Sequence, residues 1–347
     1  MRSAEVIVVG GGPAGSAAAT RLRQGGAEVV VLDKAAFPRL KLCGGWITPE
    51  VVADLELDIS AYPHRFLSFR RLHWHLKGLH LPLPCVQHSI RRFEFDAWLL
   101  ERSGAKVVQH NVRQIRRDGD GDGFVLDDAW RCRYLIGAGG TSCPVYRELF
   151  RDRVARDRAL QTATLELEFP CDWRDADCHL WFFERGLPGY SWYVPKAQGW
   201  LNVGVGGMAS RLKQRGEDLR QHWQHLLTKL ERQFQIRVPE APTGYSYYLR
   251  GPLAPARIGN AFLTGDAVGL ATRDLCEGIG PAIRSGQRAA ESILKGTAYQ
   301  LEGITGASLG GGLISRWMDW ALTRGASASP VAQSNNAVPP DSAAPVE

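Results

Sequence analysis

The chain has few cysteines, and their spacing is not that of a disulfide framework or a zinc site. Seven occur among 347 residues, an odd number without a CxxC pair. A structural zinc site needs ligands paired at short spacing, so no metal site is predicted. A small secreted disulfide scaffold is disfavoured on the same ground. Each cysteine needs another explanation, above all Cys43 in the segment KLCGGW.

The sequence also lacks a long apolar run and a strong charge of one sign. No stretch approaches the roughly 20 apolar residues of a transmembrane helix. The first apolar run, AEVIVVGGG, breaks into glycines instead of continuing as a secretory signal. The net charge of +6 is scattered along the chain. We therefore expect no nucleic-acid partner and a cytoplasmic protein, with peripheral membrane contact left open.

What is present at the N-terminus predicts a dinucleotide-binding unit. Residues 4–9 are typical of a strand buried on both faces, residues 13–24 of a helix, and AEVVVLD of a second strand that ends at Asp33. Between the first strand and the helix, GGGPAG supplies a GxGxxG motif whose glycines permit a tight turn, a close pyrophosphate and close helix packing. The helix N-terminus faces the phosphates, and Asp33 can accept a hydrogen bond from a ribose hydroxyl.

Two further segments favour FAD over NAD. FLTGDAVGL predicts a buried strand ending at Gly265 and Asp266, where the acid can accept hydrogen bonds from ribityl hydroxyls. CEGIGPAIRSG places Gly278, Ile279 and Gly280 at the start of a helix that runs to residue 295. Small residues there would let a flat ring lie against backbone, and the positive end of the helix would stabilise an anionic reduced flavin. A third motif, R-x-x-F-D-x-x-L from Arg92, would by itself favour amphipathic packing.

Between these segments the pattern changes to alternating, aromatic-rich strands, interrupted by an amphipathic helix at 216–234. We predict an α/β protein: a Rossmann-like FAD-binding domain with an inserted antiparallel β-sheet substrate domain. The sequence assigns residues 1–75, 88–160 and 255–300 to the FAD-binding domain, 76–87 and 161–254 to the substrate domain, 301–324 to a short C-terminal helical segment and 325–347 to a disordered tail.

Several segments in this order resemble the geranylgeranyl reductase family, FAD enzymes that share the para-hydroxybenzoate hydroxylase fold. They are VVGGGPAGSAAA, VVLDK, FPRLKLCGGWITP, RRFEFDAWL, IGAGGTSCPVYR, PGYSWYVPKAQGWLNVGVGG and FLTGDAVGLATRDLCEGIGPAIRSG. The CGG segment and the GYSWYVPK block are more specific to the reductases than the first and last motifs. The chain departs from the family at Cys276, where glycine is more usual, and in its short segment after residue 295. A smaller or differently shaped substrate is one consequence that we expect of this short segment.

The resemblance implies FAD as cofactor and an apolar small-molecule or lipid substrate whose isolated carbon–carbon double bond is reduced by hydride from the flavin. The residues predicted to bind FAD are Gly10, Gly12, Pro13, Ala14, Gly15, Asp33, Lys34, Cys43, Gly44, Gly45, Arg92, Val112, Gly265, Asp266, Gly278, Ile279 and Gly280. Tyr190, Trp192 and Pro195 of the YxWxxP motif are expected to line the substrate cavity. The predicted catalytic residues are Cys43, Tyr190 and Trp192, with Tyr190, Cys43 and water as the alternatives for the proton donor.

Other functions stay open at this point. A monooxygenase or halogenase of the same fold is one, because halogenases carry a lysine in a tryptophan-rich signature that GYSWYVPK partly matches. A flavin-binding electron-transfer protein that serves a membrane partner is another. The sequence has no second GxGxxG followed by an acid, so the external electron donor is either NAD(P)H bound transiently or a ferredoxin-type protein.

Overall fold

The computed structural model describes residues 1–119, 121–252 and 255–323, and the predicted tail at 325–347 lies outside them. The strands are β1 Arg2–Val9, β2 Val29–Asp33, β3 Trp46–Ile47, β4 Leu67–Leu76, β5 Leu79–Ser89, β6 Lys106–Gln109, β7 Ile115–Arg117, β8 Phe124–Leu126, β9 Trp130–Gly137, β10 Gln161–Pro170, β11 Cys178–Phe182, β12 Gly189–Lys196, β13 Trp200–Met208, β14 Thr243–Tyr248, β15 Arg257–Ile258 and β16 Ala261–Leu263. The helices are α1 Pro13–Gln24, α2 Pro49–Asp54, α3 Arg92–Arg102, α4 Ala209–Arg215, α5 Leu219–Phe234, α6 Ile279–Lys295 and α7 Leu313–Thr323.

The first sheet has the Rossmann-like arrangement that the sequence predicts. Its strand order is β15-β16-β9-β1-β2-β6, with β8 pairing with β9 and β7 with β8. The central strand β1 pairs in parallel with both β2 and β9. Apolar clusters cover both faces of β1, with Ile7 and Val9 on one and Val6 and Val8 on the other. A continuous β-branched run is therefore stable in this strand, because it meets no solvent.

Helix α1 connects β1 to β2 and packs directly on α6. Gly12 occupies its N-cap without a side-chain cap, Pro13 lies in its first turn, and Gly25 follows its last residue. A side chain at Gly286 of α6 would overlap the carbonyl oxygen of Ala14. This glycine thus allows the two helices to approach backbone to backbone, which fixes the first turn of α1 against the sheet.

The second sheet has the order β14-β10-β13-β12-β11-β4-β5-β3. It is antiparallel as predicted except between β11 and β4, which run parallel. Strand β3 and all of β4 except its last residue, Leu76, lie within the 1–75 stretch that the sequence assigns to FAD binding, yet both strands belong to this sheet. The pairing of β4 with β11 joins residues about a hundred positions apart, which local patterns do not reveal. The division of the chain into domains stays a prediction.

The two faces of the second sheet differ. Helix α5 covers one face, where Trp223, Leu226 and Leu230 pack on Val203 and Val205 of β13. The other face borders the cavity described below. None of the helices in the described part of the chain is long and apolar enough to cross a membrane.

Candidate active site

One cavity of about 880 Å³ is lined by residues of both sheets. It collects the predicted site residues with three exceptions, Gly15, Gly280 and Pro195. Successive side chains of β12 point to opposite faces of the sheet. Tyr190, Trp192 and Val194 face the cavity, so Pro195 faces away from it. Its carbonyl oxygen instead accepts a hydrogen bond from Ser89 Oγ at 2.5 Å. The expectation that Pro195 lines the cavity is therefore wrong.

The glycines of GGGPAG form a cradle at one end of the cavity. Gly10 has φ +110°, and a side chain there would overlap the carbonyl oxygen of Ala138. A side chain at Gly15 would overlap the carbonyl oxygen of Gly10, so Gly15 packs beneath the cradle and does not touch the cavity. The first turn of α1 holds no acidic residue and no side-chain cap. Its free N–H groups and positive dipole end can therefore receive an anion.

Asp33 and Arg39 add one negative and one positive group to this end. Asp33 ends β2, is only 7% exposed, and accepts hydrogen bonds from the N–H groups of Gly11 at 2.8 Å and Ala35 at 2.9 Å. Each carboxylate oxygen keeps a lone pair for a ribose hydroxyl. Arg39 Nη2 lies 3.4 Å from the position that a Cβ of Gly12 would occupy. Sequence reasoning missed this cation. The only signal for it was the position of Arg39 shortly before the CGG motif.

The CGG segment is held from below by a buried lysine. Lys196 at the end of β12 is fully buried and donates to the carbonyl oxygens of Gly44 at 2.9 Å and Ile90 at 2.6 Å. It also forms an ion pair with Glu168 Oε2 at 3.0 Å. Gly45 has φ +67°, and a side chain there would overlap the Ile90 carbonyl oxygen. The turn at 43–45 thus depends on both the glycine and the lysine.

Arg92 and Cys43 lie beside this turn. Arg92 is buried and makes a two-point contact with Asp96, from Nε to Oδ1 at 2.6 Å and from Nη2 to Oδ2 at 2.8 Å. Burial is the largest single effect on the pKa of Arg92 and lowers it, but the charge and hydrogen-bond contributions of Asp96 and Cys43 together outweigh it, so the pKa is raised. The Cys43 sulfur accepts a hydrogen bond from the Gly45 N–H at 3.4 Å. Arg92 therefore organises the surroundings of Cys43 while its guanidinium stays paired with Asp96.

The residues that follow β16 and those that precede α6 form the predicted site for the flavin ring. Gly265 has φ +57° and its N–H donates to Ser285 Oγ at 2.9 Å. Gly278 precedes α6, and both Gly278 and Asp266 line the cavity. The sequence did not reveal that Glu277 also stands here and accepts a hydrogen bond from the Gly280 N–H at 2.6 Å. Burial raises the pKa of Glu277 to about 7, so a protonatable acid lies just before the N-cap of α6.

Opposite the cradle, the cavity continues into an apolar arm. It is lined by side chains of the second sheet and of the segment before α7, namely Leu72, Trp74, Leu180, Trp192, Val194 and Leu309. A side chain at Gly204 would overlap the indole of Trp192, so this glycine lets the ring lie flat on β13. Tyr190 donates to the Leu275 carbonyl oxygen at 2.6 Å. Burial raises the pKa values of Tyr190, well above its usual range, and of Cys276, to about 12.

A buried acid in the same cavity was also missed. Glu166 of β10 is 2% exposed, and its Oε2 accepts a hydrogen bond from Asn202 Nδ2 at 3.3 Å. Asn202 Oδ1 accepts in turn from Trp192 Nε1 at 2.7 Å. Burial raises the pKa of Glu166 to about 7. The alternating pattern TATLELEF predicts the strand, but not that its polar face is the buried one.

The glycine cradle, the acid at the end of β2 and the adjoining apolar arm fit an FAD-dependent oxidoreductase, the class to which the similar proteins belong. A family model described as an NAD(P)-binding Rossmann-like domain matches residues 8–76. The menaquinone reductase of Mycolicibacterium smegmatis is 31% identical, over 84% of this chain and 77% of that protein. The geranylgeranyl diphosphate reductase of Rhodobacter capsulatus is 27% identical, over 84% of this chain and 75% of that protein.

The fold agrees with a solved structure. The geranylgeranyl bacteriochlorophyll reductase-like protein of Thermoplasma acidophilum superposes with a TM-score of 0.73 at 21% identity, covering 85% of this chain and 79% of that one. The 31% identity to the menaquinone reductase, together with the similarity to the geranylgeranyl diphosphate reductase, shows that the chain belongs to the geranylgeranyl reductase family of FAD-dependent oxidoreductases.

Proposed function

We propose that this protein binds FAD and reduces a carbon–carbon double bond of an apolar, isoprenoid-like substrate. The observation that carries the proposal is the continuity of one cavity from the phosphate cradle to the apolar arm. A binding site for a polar cofactor and a pocket for an apolar molecule then meet at the CGG turn. The names of the menaquinone and geranylgeranyl diphosphate reductases support this class of substrate.

Different residues of the cavity fit different parts of FAD. Gly10, Gly12 and the first turn of α1 would receive the pyrophosphate, with Arg39 as a nearby cation. Asp33 would accept a hydrogen bond from the ribose. Gly44, Gly45, Gly265 and Gly278 leave backbone exposed where a flat ring needs close approach. Of the remaining predicted FAD contacts, Pro13, Ala14, Lys34, Cys43, Arg92, Val112, Asp266 and Ile279 line the cavity, whereas Gly15 and Gly280 would act by packing.

Reduced FAD, when bound, supplies a hydride. The residues of the apolar arm would bind the substrate by burying apolar surface, at about 25 cal/mol per Å². They would also exclude water from the reacting bond. Trp192 has its only polar atom satisfied by Asn202, so it can present an apolar ring surface to the alkene.

Lys196 argues against the halogenase alternative. A lysine that acts on substrate needs a free ammonium hydrogen directed into the cavity. Here the ammonium donates to the carbonyl oxygens of Gly44 and Ile90 and forms an ion pair with Glu168, and Lys196 does not line the cavity. We infer that Lys196 supports the turn and does not touch substrate.

We also propose that the surface around α7 contacts a membrane from which an apolar substrate is taken. Leu313, Ile314, Trp317 and Trp320 are exposed on this helix, with Leu313 84% and Trp320 53% exposed. Leu309, just before the helix, lines the cavity. Exposed leucine and tryptophan on one helix suit the interface of a bilayer. Trp320→Ser should reduce sedimentation with anionic lipid vesicles, while Val107→Ser, an exposed apolar residue of β6, should not; equal binding would contradict the proposal.

The main proposal is tested by titrating the purified protein with FAD and photoreducing the complex without oxygen. NAD(P)H and a reduced ferredoxin are compared as donors in parallel. Adding polyprenyl compounds of increasing length should then restore the oxidised flavin spectrum. Reoxidation only after oxygen is admitted would favour a monooxygenase, and reoxidation by electron acceptors but by no alkene would favour an electron carrier. Failure to bind FAD would contradict every one of these readings.

A further inference from the structure

We propose that Glu166 is the general acid of this reduction, giving its proton to the alkene carbon next to the one that receives the hydride. The inference rests on the proposed function and names a residue for a step that function requires. Glu166 stands on β10 between Thr164 and Glu168 of the same strand face. Thr164 and Glu166 are buried and line the cavity, whereas Leu165 and Leu167 of the other face pack toward α5. The carboxyl group therefore belongs to the wall of the cavity and not to the protein surface.

One oxygen of Glu166 is held and the other is open. Oε2 accepts the hydrogen bond from Asn202, which is itself fixed by Trp192. Within the described residues, Oε1 has no hydrogen-bond partner. Part of its surface is accessible to solvent. Oε1 thus reaches the cavity space. A carboxyl group fixed at one oxygen and open at the other can present a proton in a defined direction.

Glu166 lies close to the CGG turn, where the flavin ring is expected to bind. A Cβ built on Gly44 would lie 3.9 Å from Trp192 Nε1 and 4.0 Å from Asn202 Oδ1. Asn202 is the direct hydrogen-bond partner of Glu166. The acid is therefore separated from the CGG turn by a single side chain.

The charges around Glu166 allow it to be protonated near neutral pH. Burial raises its pKa to about 7, and Glu168 on the same strand acts in the same direction. Lys41 and Lys196, from the segment before the CGG turn and from β12, lower it, as does the hydrogen bond from Asn202 of β13. On the β14 side, the Lys41 ammonium lies 3.4 Å from the ring centre of Tyr245. A general acid works best when its pKa lies close to the working pH.

Other acidic groups of the cavity fit the step less well. Tyr190 gives its hydrogen to the Leu275 carbonyl, and burial raises its pKa well above the usual range. Burial raises the pKa of Cys276 to about 12, so its thiol is a weak acid at neutral pH. Glu277 is also held at one oxygen, by the Gly280 N–H, and burial also raises its pKa to about 7. It lies just before α6, however, whereas Glu166 is linked through Asn202 to the CGG turn. Glu168 is tied to both Lys196 and Arg91.

The step balances as follows. FAD, reduced by the external donor, would supply a hydride whose two electrons form the C–H bond at one alkene carbon. The electron pair of the double bond forms the second C–H bond, at the other carbon, with the proton of Glu166 Oε1. The O–H bond of the acid breaks and leaves a carboxylate, which regains a proton from water when the product leaves.

The test compares Glu166→Gln with the wild type and with Glu231→Gln, an exposed glutamate of α5. Each protein is loaded with FAD and photoreduced without oxygen, and reoxidation by a prenyl alkene is followed from pH 5.5 to 9. The wild-type rate should fall as the pH rises through about 7. Glu166→Gln should take up and reduce FAD normally but lose about 100-fold or more of the rate, together with that pH dependence. Glu231→Gln should match the wild type.

A second readout does not depend on turnover. Infrared difference spectra of the FAD-loaded protein, titrated over the same pH range, should contain a protonated carboxyl band that Glu166→Gln lacks. If the wild type reduces the alkene and the variant does so within about threefold, with the same pH profile, Glu166 is not the donor. If no such band titrates, the inference also fails, even where the variant proves unstable. A wild type that reduces no alkene but shows the band would overturn the proposed function and the donor role together, leaving only a titrating buried acid.

Discussion

Replacing Lys196 with methionine tests the support of the CGG turn. The substitution keeps an unbranched side chain that is one atom shorter, and it removes the three polar contacts to Gly44, Ile90 and Glu168. The buried carbonyl group of Ile90 and the half-buried one of Gly44 lose their donor, at about 1–3 kcal/mol for each one left unsatisfied. Glu168 keeps its ion pair with Arg91 at 3.0 Å, which limits the electrostatic loss. Since Glu168 is not left without a partner, the two carbonyl groups set the effect, and we expect the free energy of unfolding to fall by about 2–6 kcal/mol.

The same change should weaken FAD binding. If FAD must restore the turn on binding, each 1.4 kcal/mol or so of that cost raises Kd about tenfold. Denaturant unfolding gives the stability and flavin fluorescence quenching gives Kd. Lys213→Met is the matched control, because Lys213 is exposed on α4. A loss below about 1 kcal/mol for Lys196→Met, with unchanged Kd, would refute the role of Lys196.

Three other substitutions probe the same region. Gly45→Ala places a methyl group against the Ile90 carbonyl oxygen at φ +67° and should destabilise the protein by more than about 2 kcal/mol and weaken FAD binding; unchanged unfolding would be contrary evidence. Cys43→Ala should keep FAD but slow alkene reduction, measured by flavin absorbance and by turnover, and unchanged turnover would mean that the thiol only packs. For Glu166 the folded pKa of about 7 lies above the ordinary 4.5, so its stabilising contribution is present below pH 4.5 and is lost as the pH rises through 7. Between pH 5 and 8, the wild type should therefore lose up to about 3 kcal/mol of stability relative to Glu166→Gln, and parallel pH dependences would refute this.

Local sequence signals were sufficient to predict the ends of the elements that glycine or proline residues mark. The helices at 13–24 and 279–295 have the predicted ends, because Gly12, Pro13 and Gly278 mark their starts. The first sheet follows from the βαβ unit, since a parallel pair of strands needs such a crossover. The family was predicted from the resemblance of the CGG and GYSWYVPK segments to the geranylgeranyl reductases.

The parts that sequence did not reveal depend on contacts between distant residues. The pattern of β10 shows that Thr164 and Glu166 share a face, but period-two alternation does not tell which face is covered. Only the packing of α5 on the leucine side and the cavity on the other makes Glu166 a buried acid. Likewise, Lys196 could have been a substrate-facing lysine until its contacts with Gly44 and Ile90, about a hundred or more residues away, were seen.

The most direct test of the central claim is a single turnover of the photoreduced FAD-loaded protein with a prenyl alkene under strict exclusion of oxygen. Mass spectrometry of the extracted product should show the gain of two hydrogens at one double bond, in an amount equal to the flavin reoxidised. Flavin that stays reduced until oxygen enters, or a product that carries added oxygen or halogen in place of the two hydrogens, would contradict the assignment as a carbon–carbon double-bond reductase.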